Sequence, residues 1–102
     1  MLRVHKVRGQ SMSPSYLDGD FVICRRNFMR RYQIGDVVVV KHPVLGVIIK
    51  RIAAISTDYE FWLQGDNPMS TNSAAMGWLS QNCILGKVRW HIKAPNQSSA
   101  RI

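Results

Sequence analysis

The sequence predicts a mainly β fold: a single compact domain with a coiled or barrel-like antiparallel sheet. Three observations carry this. Short runs rich in β-branched residues recur along the chain, as half-buried pleated strands require. Turn signals built on Gly, Asp, Asn and Pro separate them. The chain has 102 residues and 46% hydrophobic residues, enough for one core and no more.

The elements follow in order. Residues 3–8 set Val4 and Val7 among Arg3, His5, Lys6 and Arg8, and read as a short strand. Residues 9–19 form a loop, with Pro14 inside it and Asp18-Gly19-Asp20 as its closing turn signal. Residues 20–26 read as a second strand, and residues 27–34 as a basic loop. Gly35-Asp36 then opens the run Val37-Val38-Val39-Val40-Lys41-His42. A tight connection over Pro43 to Gly46 leads into Val47 to Ile55, and the two runs make a hairpin. Residues 60–64 form a further strand ending at Gly65-Asp66-Asn67-Pro68. Residues 69–82 are small and polar and read as a loop, and Ile84 to Ile92 closes the sheet. The domain spans residues 1–94, and the Ser/Asn/Gln-rich stretch 95–102 is a flexible tail.

Composition narrows the function classes. The net charge is +8 and the pI about 10.2, which suits nucleic acid, an anionic membrane or an acidic protein partner. Arg25, Arg26, Arg30 and Arg31 concentrate this charge around Asn27-Phe28-Met29; a solvated hairpin loop is the plain reading, and an anionic-lipid or nucleic-acid contact the functional one. The cysteines, Cys24 and Cys83, lie in apolar runs and read as buried free thiols of a reducing compartment. His5, His42 and His91 lack ligand spacing, so no metal is expected. There is no transmembrane run, and the charged start cannot be a signal peptide, which points to a cytoplasmic protein, membrane-associated if the basic loop touches lipid.

Two residues stand out chemically. Ser11 sits in the turn Gly9-Gln10-Ser11-Met12-Ser13-Pro14, which can present a hydroxyl with free backbone N–H groups beside it, as a nucleophile with an oxyanion site needs. Lys50 interrupts the apolar run Ile48-Ile49-Lys50-Arg51-Ile52. Strand alternation sends Lys50 and Arg51 to opposite faces, so one of them faces the interior or a cleft. A desolvated lysine has a lowered pKa and can act as a base. Each feature alone has a plain reading: a connecting loop for Ser11, an edge strand with a snorkelling side chain for Lys50.

The ordered set of motifs resembles the type I signal peptidases. Gly9-Gln10-Ser11-Met12-Ser13-Pro14-Ser15 is similar to their Ser-Met-x-Pro box, Gly35-Asp36-Val37-Val38-Val39 to their Gly-Asp box, and Ile49-Lys50-Arg51-Ile52 to their Lys-Arg box. Gly65-Asp66-Asn67-Pro68 with Ser70-Thr71-Asn72-Ser73, and Ile84-Leu85-Gly86-Lys87-Val88, complete the series. The compact size looks closest to the small maturation proteases of nickel-type superoxide dismutase, with the LexA and UmuD self-cleaving domains as distant relatives. The resemblance implies a signal peptidase/LexA type of sheet and a Ser/Lys serine endopeptidase. In it Ser11 is nucleophile and oxyanion donor, Lys50 the general base, Ser70 the hydroxyl that orients the lysine amine, and Met12 a wall of the substrate site. Arg51 would be structural, and no metal or organic cofactor is implied. The substrate would be an extended precursor or signal-type segment, cut after small residues. Two departures stand out: Gly9 replaces a serine that supplies a second oxyanion donor, and Asn72-Ser73-Ala74 replaces Asp-Ser-Arg.

Two rivals follow. A self-processing LexA/UmuD-like domain needs a cleavable segment, and about ten residues precede Ser11 without an Ala-Gly or Cys-Gly dipeptide. A non-catalytic basic β module would stack nucleic acid on Phe28, Tyr32 and Trp90. Interior placement explains those aromatics more cheaply, so nucleic acid is not the expected partner.

Overall fold

Four consecutive valines, Val37 to Val40, are all buried. A strand with one wet face alternates; a continuous apolar run needs cover on both faces. The computed structural model, which describes residues 2–26, 32–68 and 76–94, supplies that cover. Strands β1 (Leu2–Lys6), β2 (Phe21–Arg25), β3 (Val37–His42), β4 (Gly46–Ile55), β5 (Glu60–Gln64), β6 (Trp78–Ser80) and β7 (Ile84–Ile92) form one seven-stranded sheet in the order β1-β2-β7-β3-β4-β5-β6. Every described pairing is antiparallel, and β3 lies at the centre. The sheet is open, with β1 and β6 at its ends.

Val37 and Val39 face a cluster made with Val7, Met12, Val22, Cys24 and Ile49. Val38 and Val40 face the other, with Ile52, Phe61, Leu63, Leu79 and Ile84. Full burial of side chains such as Ile52, Phe61 and Leu63 contributes roughly 1.5–3 kcal/mol each. Irregularities in register at Ile23/Cys24, Val39/Val40 and Ile52/Ala54 add local twist, which coils the sheet so that its two ends cover opposite faces. Gly86 is needed where β7 passes β2: a Cβ there would lie 2.9 Å from the Arg25 carbonyl carbon.

The expected hairpin over β3 and β4 is present, with Val39 opposite Ile49. Residues 69–82 are not all loop. Trp78–Ser80 is a strand, pairing Phe61 with Leu79 and Trp62 with Trp78, and a 3-10 turn at Gln81–Cys83 leads into β7. Three residues are too few to show alternation, so only the partner strand reveals this one. Cys24 is buried and Cys83 half-buried, both free. The arginines of the basic loop at 30 and 31, Phe28, Ser70 to Ala74 and the expected tail 95–102 lie outside the described residues. Among the described residues no helix is long and apolar enough to cross a membrane.

Candidate active site

Beyond β1 the chain makes a closed loop. Its base is sealed where the Val7 N–H donates to the Asp20 carbonyl at 2.7 Å and the Gly19 N–H to the Val7 carbonyl at 2.9 Å. Asp18 accepts from the Gly9 N–H at 2.7 Å. Within the loop the Ser13 N–H donates to the Gln10 carbonyl and the Tyr16 N–H to the Met12 carbonyl. Met12, 1% exposed, pins the turn to the core, and this leaves its neighbour Ser11 at the surface of a cleft. Among the described residues the Ser11 N–H meets no acceptor. Gly9 has φ +79°, a backbone conformation that glycine takes without strain. This gives a physical reason for glycine where the resembling family carries serine.

Asp20 braces the far end of the loop. Its carboxylate is buried, which by itself raises its pKa. Hydrogen bonds from the Leu17 and Ala94 N–H groups, and the His91 ring at 2.7 Å, outweigh that and hold it below the ordinary value. Tyr16 packs against the His91 ring, with centroids 4.5 Å apart.

Lys50 and Arg51 diverge as alternation requires. Lys50 lies opposite Val38 and Arg51 opposite Val37, on the two faces of the sheet. Lys50 is 3% exposed: β4 is paired with β3 here and has no β5 partner among the described residues, yet the ammonium is buried and does not snorkel out to solvent. Among the described residues no carboxylate pairs with it. Desolvation alone pushes its amine below the ordinary lysine value of 10.5. Arg51 is fully engaged instead: Nε and Nη2 donate to the two Asp66 carboxylate oxygens at 2.9 and 2.8 Å, and Nη1 donates to the Gly35 carbonyl at 2.8 Å. The Arg51 hydrogen bond holds Asp66 below the ordinary carboxylate value despite partial burial.

The pairing of β5 with β4 stops at Gln64 opposite Arg51. The chain then leaves the sheet through Gly65 and Asp66, and Asn67 grips the serine turn. Its backbone N–H donates to the Ser11 carbonyl at 2.9 Å, and its side-chain Nδ2 to the Gln10 carbonyl at 2.8 Å. Ser11 is thus carried to the place where strand pairing ends, and Lys50 is the first β4 residue past that end. Both line a cleft of about 470 Å³, walled by β1 and its extension from Val4 to Arg8 and by β4 from Val47 to Lys50. Among the described residues β1 pairs only with β2, and β4 has no partner on its β5 side before Arg51, so two strand edges border the cleft. His5 stands in the wall with its Nε2 buried and without a partner among the described residues; burial and nearby Arg3 hold its pKa below 6.5.

A family model described as Peptidase S24-like matches residues 2–89. The chain belongs to the Peptidase S24-like family. No curated protein matches it closely enough to count as a relative. S24-like membership supports a serine-protease type of enzyme and agrees with the open, all-antiparallel sheet.

The structure brings Ser11, Met12 and Lys50 to one cleft; Ser70 lies outside the described residues. Of the aromatics weighed for stacking, Tyr32 is interior, whereas Trp90 is exposed, against the expectation that these rings are buried. Sequence reasoning missed Asn67 as the clamp on the serine turn and the Asp20–His91 brace. The Gly-Asp-Asn motif was visible, but a contact across 57 positions of sequence leaves no local pattern. Among the described residues no three His, Cys, Asp or Glu side chains gather as a metal site.

Proposed function

We propose that this S24-like protein is a serine endopeptidase in which Ser11 is the nucleophile and Lys50 the general base. One observation carries the reading: a buried lysine that meets no carboxylate among the described residues lines the same cleft as a serine held on a clamped turn. A structural lysine in that position would cost stability and return nothing; a lysine kept neutral by desolvation is a base.

In the proposed reaction neutral Lys50 takes the Ser11 hydroxyl proton as Oγ attacks the scissile carbonyl. The Ser11 N–H donates to the oxyanion. The Lys50 ammonium then protonates the leaving amine as the C–N bond breaks, leaving an acyl-enzyme. Lys50 next deprotonates a water, which attacks the ester; the proton returns to Ser11 Oγ as the acid departs. The substrate runs extended between the two strand edges, taking backbone hydrogen bonds from them. Preference for small residues before the cut, and the orienting role of Ser70, rest on the resemblance to signal peptidases.

The test is hydrolysis of extended peptides with small residues at the cut. Ser11→Ala lowers turnover roughly 10⁴-fold or more with an unchanged circular dichroism spectrum. Retained turnover in that variant sinks the reading. Self-processing of the LexA/UmuD kind is the alternative that S24-like membership fits equally; the described residues before Ser11 pair with β2 and wall the cleft.

A further inference from the structure

His5 lines the cleft and has no part in the proposed reaction. Register places it directly opposite Val22, and Arg3 directly opposite Cys24. Residues directly opposite in a sheet share a face, so His5 and Arg3 look the same way as the cluster that takes Val22, Cys24 and Val7. Two residues beyond His5, Val7 takes that face again, and it lines the cleft with Met12 beside Ser11. The His5 ring is half-buried, and its Nε2 is closed off without a hydrogen-bond partner among the described residues. Leaving a buried polar atom unmet costs roughly 1–3 kcal/mol. Arg3 is exposed, and its charge reaches the ring.

The charge along this edge has one sign. Lys6 and Arg8 also line the cleft, and among the described residues no carboxylate does. The acidic side chains are placed elsewhere. Asp18 accepts from the Gly9 N–H, and Asp20, Asp36 and Asp66 are paired with His91, Lys87 and Arg51. Asp58 and Glu60 stand at the turn from β4 to β5, past the end of β4 remote from the cleft. A cleft lined by one sign of charge concentrates the opposite sign. His5 and Arg3 lack an acceptor and a negative charge, and a carboxylate supplies both. The last torsion of a histidine side chain is broad, so a small turn of the ring brings its N–H to bear cheaply.

We propose that the cleft selects extended segments carrying an aspartate or glutamate, whose carboxylate is bound by His5 and Arg3 two positions along from the side chain that rests on Val7 and Met12. This names a substrate class for the proposed peptidase, and it rests on that reading of the cleft as a peptide site. In an extended segment, side chains two positions apart share a face. His5 and Val7 are spaced in the same way along the wall, so the basic site and the apolar floor beside Ser11 meet such a segment in step. The carboxylate fixes the register of the segment, and with it the bond presented to Ser11.

The test is binding of labelled peptides to the Ser11→Ala variant by fluorescence anisotropy, which reads recognition without turnover. The probes are an extended peptide of small residues carrying one aspartate, and the same peptide with asparagine or lysine in its place. At physiological salt the aspartate peptide binds about tenfold tighter than the asparagine one, the worth of one charge-assisted hydrogen bond, and the lysine peptide binds weakest. Adding Arg3→Glu turns the preference from aspartate to lysine with an unchanged thermal midpoint, since Arg3 is exposed. Adding His5→Phe removes the aspartate preference and keeps the binding of the asparagine peptide. Arg89→Glu, the same charge change on an exposed β7 residue outside the cleft, leaves the preference in place. Equal binding of the aspartate and asparagine peptides, or a preference that Arg89→Glu removes as fully as Arg3→Glu, would overturn the proposal. Wild-type turnover separates the two readings. Aspartate-selective binding without cleavage upholds the acidic-segment site and sinks the Ser11–Lys50 assignment; cleavage without aspartate preference does the reverse.

Discussion

Lys50 and Arg51 are neighbours on one strand and have opposite fates. Arg51 meets a bidentate carboxylate and a carbonyl, and its side chain stays 38% exposed. Lys50 is buried and meets no carboxylate among the described residues. One cation is placed where the protein satisfies it, the other where the protein leaves it costly to charge. The first is how a strand uses a cation to hold a loop; the second suits the proposed role of Lys50 as a base that works in its neutral form.

Replacing Lys50 by methionine gives the largest effect and breaks the comparison most directly. Peptide hydrolysis falls roughly 10⁴-fold or more, while stability at neutral pH stays level or rises by about 1 kcal/mol, because an apolar side chain of similar length replaces an amine that is costly to charge. Loss of both activity and several kcal/mol of stability in urea unfolding would make Lys50 structural. The pH dependence has a definite sign. The folded state holds this amine below its unfolded value of 10.5, so the unfolded chain binds the extra proton between the two values. Wild-type stability relative to Lys50→Met is therefore lowest below the folded value and recovers as pH rises toward the unfolded one. Activity rises as pH passes upward through the folded value, where Lys50 loses its proton.

Arg51→Ala acts in the opposite sense. It lowers stability by about 1–2 kcal/mol, a modest figure because the pair is partly solvated. It also lowers turnover, because Asp66 and then Asn67 lose their anchor. Asp66 and Asp20 both have lowered folded values, so their contribution is complete above the ordinary value of 3.8 and is lost as pH falls through the folded ones. Acid unfolding followed by tryptophan fluorescence checks this: Asp66→Asn and Asp20→Asn each flatten the acid limb.

The smallest effect sharpens the link between the two faces. Asn67→Ala removes the side-chain hydrogen bond to the Gln10 carbonyl, and that loss costs about 0.5–1 kcal/mol. If the clamp positions Ser11, kcat falls several-fold with KM little changed; an unchanged kcat would show that the backbone bond to Ser11 suffices.

The strands with four or more residues were legible because their side chains carry the signal: the valine run of β3, the Lys-interrupted run of β4, the alternation of β5. β6 was not, because a three-residue strand is defined by its partner. The site was half legible. Ser11 and Lys50 stand out as a turn serine and a misplaced strand lysine, while Asn67 and the Asp20–His91 brace act across tens of residues, where spacing carries no information.

The sequence by itself determined the β class, the serine turn, and the conflict of an ammonium inside an apolar run, because propensity, turn chemistry and the cost of burying charge are local properties. Only the tertiary structure decided which cation is buried and which is paired, where β5 lets go of β4, and which apolar side chains of β1, β2 and β7 remain uncovered. Those outcomes depend on how the coiling sheet covers its two faces, and coverage belongs to the whole sheet.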